Sequence, residues 1–319
     1  MNEVIVSVKN LSKHYGKIRA ASKLNFDIRH GECFGLIGPN GAGKTTTIGM
    51  LTGLIDPTKG KIKINGVDLQ SEPLEAKAKI GFVPQDFAFY PTLNARENLF
   101  FFGRIYGLHG RYLRRRAQSV LQTVELNECA GRAVSTFSNG MKRRLNIAIG
   151  LLHEPHILIL DEPTVGVDTH MRQNILEHLK KFNGDGLSIL YSTHYLEEAQ
   201  QLCHRVAVID RGKIIALDTP SKLISGLGKG IVRVCFREPI PSSHLDRLRQ
   251  LGPLVHWDPT VAHIRLKKND AEHVIREVVA SAEREGISIK SLSRLEPTLE
   301  TVLLHLTGRS SITDDIHKG

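Results

Sequence analysis

The chain has 319 residues, of which 43 are Lys or Arg and 33 are Asp or Glu, so its formal charge is +10. A composition that is 41% hydrophobic and 24% charged excludes wholesale disorder and collagen-like repeats. No stretch approaches the roughly 18 uninterrupted apolar residues of a membrane span. The four cysteines are scattered, which predicts reduced thiols in a cytosolic protein. A basic chain suits nucleic acid, an anionic membrane surface or phosphorylated ligands, and composition does not choose among them.

The first 225 residues contain both strand and helix patterns. Short β-rich runs come first, and from Gly41 onward continuous apolar strands alternate with helical segments. That alternation predicts an α/β fold with a mostly parallel sheet. The region 92–130 is mostly helical in period and includes an arginine cluster, Arg111, Arg114, Arg115 and Arg116. The predicted strands span residues 4–8, 24–28, 33–37, 61–64, 157–160, 188–191 and 205–209.

A glycine-rich loop follows the strand predicted at 33–37 and precedes a helical pattern. It fits G-x-x-x-x-G-K-[ST], a loop whose backbone N–H groups wrap a phosphate at a helix N-terminus. Lys44 is placed to reach the β- and γ-phosphates, and the Thr45 hydroxyl to ligate Mg²⁺. An ordinary glycine-rich turn is the alternative, but the strand–loop–helix context favours nucleotide binding. The predicted nucleotide-binding residues here are Gly38, Pro39, Asn40, Gly41, Ala42, Gly43, Lys44, Thr45 and Thr46.

Two carboxylates, Asp161 and Glu162, end the apolar strand predicted at 157–160. Ligands bind at the C-terminal ends of the strands in open α/β sheets. We therefore expect Asp161 to hold the Mg²⁺ shell. Glu162 points to the opposite side of the strand, where it can orient or deprotonate a water molecule. A polar turn that closes a strand is the alternative, and the presence of the phosphate loop favours the functional interpretation.

A third motif is the run Ser-Asn-Gly-Met-Lys that begins at Ser138. It predicts the start of a helix with Ser138 as its N-cap. Because an exposed helix start binds anions, the motif also predicts an anion site. With these motifs in this order, residues 1 to about 225 resemble the ATP-binding subunit of an ATP-binding cassette (ABC) transporter. The resemblance implies that Ser138 and Gly140 contact the γ-phosphate of ATP held by a second copy. The commonest form of this signature has Gly at Asn139 and Gln at Met141. Because Asn tolerates a positive φ, the backbone shape can survive.

The same resemblance implies roles for four further residues. Tyr15 would stack on adenine, Gln85 would touch Mg²⁺ or water and sense the membrane subunit, and His194 would contact the γ-phosphate. Asp168 would belong to the loop that follows the acidic pair. The expected catalytic residues are thus Glu162, His194 and Gln85, the expected Mg²⁺ ligands are Thr45, Gln85 and Asp161, and the nucleotide site adds Tyr15, Ser138, Gly140, Asp161 and Asp168.

The chain beyond a linker predicted at 219–230 has its own order of elements, β-α-β-β-α-β with a final helix, which predicts a small ferredoxin-like domain. Residues 295–308 resemble the tail of the ATPase subunits of ABC-2-type exporters, which include drug, polysaccharide, sodium and nodulation-signal exporters. The strands are predicted at 231–236, 254–257, 261–266 and 287–292, and the helices at 243–251, 271–285 and 298–306. The expected domains are a cassette at 1–225 with a helical subdomain at about 92–152, an accessory domain at 226–308 and a tail at 309–319.

The expected fold is an α/β P-loop NTPase cassette with a mostly parallel core sheet, an antiparallel β subdomain and a helical subdomain, followed by the small ferredoxin-like α/β domain. The resemblance implies a homodimer that hydrolyses ATP with Mg²⁺ and drives a separate integral-membrane permease from the cytoplasmic face, without nucleic acid. One alternative is a nucleic-acid- or ribosome-associated ABC ATPase, prompted by the charge and the arginine cluster. Another is a regulator that binds ATP without turnover, against which intact Asp161, Glu162 and His194 argue.

Overall fold

The computed structural model describes residues 3–226, 230–266, 271–295 and 297–307. The chain divides into two compact units, Met1–Ile214 and Ile215–Gly319. Within the described ranges no helix is both long and apolar enough to cross a bilayer.

The first unit combines two sheets with helices that connect the strands. Its strands are β1 (Val4–Tyr15), β2 (Ile18–Arg29), β3 (Cys33–Ile37), β4 (Lys59–Ile64), β5 (Val67–Asp68), β6 (Ile80–Val83), β7 (Ile157–Asp161), β8 (Ser188–Thr193) and β9 (Arg205–Asp210), and β10 (Lys213–Asp218) crosses into the second unit. Its helices are α1 (Lys44–Leu51), α2 (Pro73–Ala78), α3 (Ala95–Ile105), α4 (Gly110–Thr123), α5 (Asn139–Leu151), α6 (Thr169–Gly184) and α7 (Leu196–Leu202).

The core sheet is parallel in the order β9-β3-β8-β7-β6, and β10 follows β9 at its edge. Every residue of β3, β7 and β8 is buried, which explains why these strands are continuous apolar runs rather than alternating ones. Because the three strands are parallel neighbours, their C-terminal ends meet at one edge of the sheet. The phosphate loop, the acidic pair and the loop after β8 therefore converge there.

A second sheet of the first unit is antiparallel, in the order β2-β1-β4-β5. The predicted turn Asn65-Gly66 connects β4 and β5, and both residues have positive φ, 46° and 80°. The first two strands extend beyond their apolar runs because they continue into a tight hairpin, in which Tyr15 pairs with Ile18. The predicted antiparallel subdomain is confirmed.

Three helices between β6 and β7 form a helical layer in which α3, α4 and α5 pack on one another. The start of α3 is fixed by a capping box: the Asn94 side chain accepts from the Glu97 N–H, and the Glu97 carboxylate accepts from the Asn94 N–H. The buried side of α4 is apolar and includes Leu113 and Leu121. Arg111, Arg114 and Arg115 are exposed, whereas Arg116 is half-buried and donates to the carbonyls at the end of α5.

The second unit has the predicted ferredoxin-like order. Its sheet runs β12-β13-β11-β14 with every neighbouring pair antiparallel, and Val232, Val234, Phe236, Ala262 and Ile264 share one core with the apolar side chains of two helices. This confirms the ferredoxin-like prediction. The elements are α8 (Pro220–Ser225), β11 (Ile231–Phe236), α9 (Ser242–Leu251), β12 (Leu254–Asp258), β13 (Val261–Arg265), α10 (Ala271–Arg284), β14 (Ile289–Leu295) and α11 (Leu299–Thr307).

The linker predicted at 219–230 is wrong over its first half, because that stretch forms α8. The Thr219 hydroxyl accepts from the Lys222 N–H and so caps a helix that has Pro at its first position. Leu223 and Ile224 then pack against the buried Ile231. Residues 227–229 lie outside the described ranges, and the domain boundary after residue 225 stays a prediction.

Candidate nucleotide-binding site

The phosphate loop leaves β3 and enters α1 through backbone conformations that favour glycine. Gly43 has φ 106°, and a Cβ at this position would meet the carbonyl oxygen of Ala20. The Lys44 ammonium is buried and donates to the carbonyls of Gly38, at 2.9 Å, and Pro39, at 3.2 Å. The Lys44 charge is therefore held against the backbone of the phosphate loop, where a positive charge suits a polyanion.

We predict that Gly43→Ala lowers both the melting temperature and the affinity for ATP, the affinity by at least about tenfold, because strain and a clash with Ala20 displace the loop. Gly107→Ala is the matched control, since Gly107 also has positive φ, 77°, but a Cβ there meets no atom within 4 Å. Thermal unfolding and binding of a fluorescent ATP analogue measure the two effects. Equal behaviour of the two variants would show that the loop tolerates a side chain.

The two carboxylates at the end of β7 occupy different environments. Asp161 is buried and accepts a hydrogen bond of 2.6 Å from the Ser192 hydroxyl and another from Thr45. Glu162 has φ 46°, an uncommon conformation for a residue with a side chain, and its N–H donates to the Ser192 hydroxyl at 3.0 Å. Ser192, on the neighbouring strand β8, thus contacts both members of the pair.

Glu162 is the point at which the predicted catalytic groups meet. Its Oε1 lies 3.1 Å from the Lys44 ammonium, and its Oε2 lies 3.0 Å from Nδ1 of His194. His194 follows β8, and Glu162 follows β7, so the parallel pairing of these strands brings the two side chains together. The structure therefore assembles three residues that are 32 to 150 positions apart in sequence into one hydrogen-bonded group.

The pKa values of the pair move in opposite directions. Burial raises the pKa of Asp161, and the hydrogen bonds from Ser192 and Thr45 offset only part of that rise. Burial also acts to raise the pKa of Glu162, but the hydrogen bond from His194 and the charge of Lys44 outweigh it and lower the pKa below its ordinary value. Glu162 is therefore held as a carboxylate that accepts hydrogen bonds.

These groups line a cavity of about 590 Å³. It also has contributors that sequence reasoning missed, chiefly the β2 start at Ile18–Ala20 and the turn Arg211-Gly212. The turn is fixed by the Gly212 N–H, which donates to the Ala42 carbonyl at 2.8 Å. A glycine after a buried strand was the available signal, but only the fold shows which loop it approaches. The predicted residues that line the cavity are Asn40, Gly41, Gly43, Lys44, Thr45, Thr46, Gln85, Glu162 and His194.

Gly38, Pro39, Ala42 and Asp161 belong to the phosphate loop or the acidic pair but are not part of the cavity lining. Four further predicted residues also lie outside it. Tyr15 ends β1 and is about half exposed, with the Lys13 ammonium 5.1 Å from its ring centroid. Ser138 caps α5 by accepting from the Met141 N–H at 3.2 Å, and Gly140 lies in the first turn of that helix. Asp168 caps α6 in the same way. The capping role predicted for Ser138 is confirmed, whereas the nucleotide contacts of all four stay predictions.

The oxygen-rich side chains near the phosphate loop suit Mg²⁺ better than a transition metal. Thr45 offers a hydroxyl, Asp161 a carboxylate and Gln85 an amide oxygen, which are the ligand types of a hard cation. Among the described residues, no cluster of three or more His, Cys, Asp or Glu side chains forms an all-protein metal site. Mg²⁺ normally keeps several waters and shares its shell with substrate phosphates, so one carboxylate and one hydroxyl fit it.

Comparison with known proteins agrees with this chemistry. The ABC transporter family profile matches residues 21–165. The linearmycin resistance ATP-binding protein LnrL of Bacillus subtilis is 42% identical over 310 residues, which are 96% of this chain and 99% of that protein. The chain belongs to the ATP-binding subunits of ABC transporters. The daunorubicin resistance ATP-binding protein DrrA3 of Streptomyces coeruleorubidus is 34% identical over 97% of both chains. The Nod factor export ATP-binding protein I of Paraburkholderia xenovorans is 36% identical over 97% of this chain and 99% of that protein.

Solved structures of this ABC family cover about two thirds of the chain. An ATP-binding subunit of an ABC transporter has a TM-score of 0.64 and 32% identity, covering 70% of this chain and 93% of that chain. A dimeric cassette in a post-hydrolysis state with ADP and phosphate has a TM-score of 0.61 and 30% identity, covering 67% and 98%. The predicted cassette fold is confirmed, and this ABC subunit is an ATPase that uses ATP with Mg²⁺.

Proposed function

We propose that this subunit supplies the energy for an exporter in which two copies close over ATP and move a separate transmembrane permease. The proposal rests on the observation that some of the motif residues line the cavity and others do not. Lys44, Glu162 and His194 line one cavity, whereas Ser138 and Gly140 lie outside its lining. A second copy that presents these two residues completes the site, so each ATP is shared between copies.

Within each site the side chains have separate roles. Lys44, with the loop amides, binds the β- and γ-phosphates, and Thr45, Asp161 and Gln85 are the residues that would hold Mg²⁺. When bound, the ion would supply positive charge to balance the charge that develops on the phosphates. Glu162 orients the attacking water and accepts its proton, and His194 holds Glu162 and the γ-phosphate in one geometry.

An aromatic surface beside Gln85 supports docking of the permease. Phe87 stacks on Phe89 at 5.4 Å between centroids, and Tyr90 meets Phe101 edge-on at 4.8 Å. Three of these four rings are exposed by 38–47%. Exposed aromatic clusters of this kind mark interaction sites. We call Phe87, Phe89, Tyr90, Phe101 and Phe102 the aromatic surface.

One arginine connects the aromatic surface to the site. The guanidinium of Arg143, on α5, lies 4.9 Å from the Phe87 ring and donates to the carbonyls of Pro84 and Gln85 at 2.9 and 2.8 Å. A partner that shifts the Phe87 ring therefore also displaces Gln85 and the helix that Ser138 opens. This contact supports transmission between the permease and the nucleotide.

The relatives indicate the direction of transport and the class of cargo. Two of them are named for drug resistance and one for Nod factor export, and they match this chain over nearly its whole length. We therefore propose an ABC-2-type exporter, with this subunit peripheral at the cytoplasmic face of the membrane. The permease selects the molecule that is transported.

A complementation experiment tests the shared site. Lys44→Ala removes the phosphate charge, and Ser138→Asp keeps a helix cap but places a negative charge against the phosphate. Each homodimer is expected to be inactive. A one-to-one mixture recovers about a quarter of the wild-type rate, because half of the dimers then contain one intact site.

Ser138→Asn is the control for that experiment, since it keeps the cap without adding charge and is expected to retain activity. Native mass spectrometry establishes that mixed dimers form. A mixture that contains mixed dimers but hydrolyses no ATP would contradict the shared site.

Removing two exposed rings is expected to separate hydrolysis from membrane association. Tyr90→Ser with Phe101→Ser keeps the rate of the isolated subunit within about twofold, because neither ring lines the cavity, but abolishes co-sedimentation with membranes that contain the permease. Leu74→Ser is the control, since Leu74 is an exposed apolar side chain on α2. Unchanged sedimentation of the double variant would place the docking site elsewhere.

A further inference from the structure

A buried carboxylate lies directly beneath the loop that carries His194. Glu198, on α7, is 3% exposed, and its Oε2 accepts from the Tyr191 hydroxyl at 2.7 Å and from the Thr193 hydroxyl at 2.8 Å. The Thr193 oxygen also accepts from the Tyr195 N–H at 2.9 Å. Thr193 is thus hydrogen-bonded directly to the Glu198 carboxylate, and Tyr195 is connected to it through the Thr193 hydroxyl. The residues on both sides of His194 therefore depend on the same carboxylate.

The other oxygen of Glu198 faces a cation from a different element. The Nε of Arg172, on α6, lies 3.6 Å from Glu198 Oε1. Neither of these two atoms makes a hydrogen bond with any described residue, so their interaction is an ion pair without a hydrogen bond. An uncompensated buried carboxylate is costly, and Arg172 supplies the compensating charge.

The same guanidinium also contacts the residue after His194. Its Cζ lies 4.1 Å from the centroid of the Tyr195 ring, and the Tyr195 ring lies 4.2 Å from the His194 ring. A cation over an aromatic face is attractive, most strongly where water is excluded. Arg172 therefore restrains the backbone of the His194 loop through Glu198 and the neighbouring ring through Tyr195.

The contacts of Arg172 connect the start of α6 to His194 and Glu162. Its N–H donates to the Asp168 carbonyl at 2.8 Å, which places it in the first turn of that helix. At the other end of the chain of contacts, His194 lies 3.0 Å from Glu162. A displacement of α6 is therefore passed to the histidine and from there to the carboxylate.

We propose that Arg172 is a positioning residue for hydrolysis: its contacts with Glu198 and Tyr195 hold His194 against Glu162 and make that geometry depend on the start of α6. The inference rests on the roles proposed above for Glu162 and His194. Arg172 itself lies outside the cavity lining, so it acts on turnover and not on ATP binding. Small displacements of catalytic groups cost large factors in rate.

A double-mutant cycle on the full chain tests the inference. Arg172→Met keeps the length of the side chain and removes its charge. It is expected to lower kcat about tenfold while KM and the Kd for ATP stay within about twofold. In a His194→Ala background, the same substitution is expected to change kcat by less than about twofold, because the group that Arg172 positions is gone.

Three further variants separate positioning from support of the fold. Arg172→Lys returns a charge opposite Glu198 and is expected to restore part of kcat. Glu198→Gln removes the ion pair from its other side and lowers kcat in the same way. Lys180→Met, at an exposed position of α6, is the control and leaves kcat unchanged. The melting temperature of each variant is measured without nucleotide.

Additive losses for Arg172→Met and His194→Ala overturn the inference, as does a loss that appears in the Kd for ATP instead of kcat. A normal kcat in Arg172→Met, or in His194→Ala alone, overturns it as well. The proposed function is judged separately by the mixture of Lys44→Ala and Ser138→Asp, which contains none of these substitutions. The two proposals can therefore fail independently.

Discussion

Replacing Glu162 by Gln is expected to lower the steady-state rate of ATP hydrolysis by about 10²–10⁴-fold while ATP still binds. The carboxylate is the acceptor at the centre of the site, 3.1 Å from Lys44 and 3.0 Å from His194. A carboxamide of the same shape cannot take the proton of the attacking water. The substitution does not change the hydrogen bonds that Lys44 donates to the loop carbonyls, so we expect phosphate binding to persist.

Rate and binding are measured separately for this variant, by phosphate release and by titration with a fluorescent ATP analogue. ATP is also expected to trap the variant as a dimer, visible by size-exclusion chromatography, because the closed state no longer turns over. Since the pKa of Glu162 is lowered, loss of activity in mildly acidic buffer should come from other groups. Hydrolysis at the parental rate would exclude Glu162 as the base.

Asp161→Asn is expected to abolish Mg²⁺-dependent hydrolysis, by at least about 10²-fold, and to raise the melting temperature of the nucleotide-free protein. The pKa of Asp161 is raised in the folded chain, so its contribution to stability is complete below the ordinary value of 3.8 and is lost as pH rises through the raised value. At neutral pH the folded protein therefore holds a carboxylate that burial disfavours. A neutral amide removes this penalty and still accepts from Ser192.

The matched control for the stability effect is Glu162→Gln. The pKa of Glu162 is lowered, so its carboxylate stabilises the fold above the ordinary value of 4.5, and this stabilisation disappears as pH falls through the lowered value. At pH 7 the melting temperature should rise by a few degrees for Asp161→Asn but not for Glu162→Gln. At pH 3 to 4 the gain for Asp161→Asn should shrink. Calorimetry at the two pH values checks the sign of each effect, and a lower melting temperature for Asp161→Asn at pH 7 would contradict it.

The phosphate loop and the acidic pair were predictable because each is a short, contiguous run with its own flanking strand. The conformation of a glycine-rich loop before a helix is determined by neighbouring residues, and so is the position of carboxylates at the end of an apolar strand. The turn Arg211-Gly212 was not predictable, because it reaches the cavity through a hydrogen bond to Ala42, about 170 residues away in sequence. Long-range contacts of this kind follow from strand order, which periodicity does not encode.

At α8 the sequence prediction was wrong because local composition favoured a linker where the chain forms a helix. Ser, Gly and Pro near residue 220 are typical of linkers, yet Thr219 followed by Pro220 is also a helix start. Packing of Leu223 and Ile224 decided between the two. The ferredoxin-like order downstream was easier to predict because apolar residues predominate in β11 and β13. The nucleic-acid alternative has no support in the relatives, whose names refer to drug resistance and to export.

The left-handed backbone at Glu162 has a genetic consequence. A non-glycine residue at φ 46° is held there at a cost of about 1–2 kcal/mol, which the fold bears whether or not the subunit works. The backbone strain alone favours glycine at this position, whereas the ion pair with Lys44 favours the glutamate. Substitutions that relieve the strain are expected to accumulate as folded, inactive subunits that still present the aromatic surface. Such subunits would occupy the permease in place of active ones, so alleles altered at this position are expected to behave as dominant in a cell that also carries the normal gene.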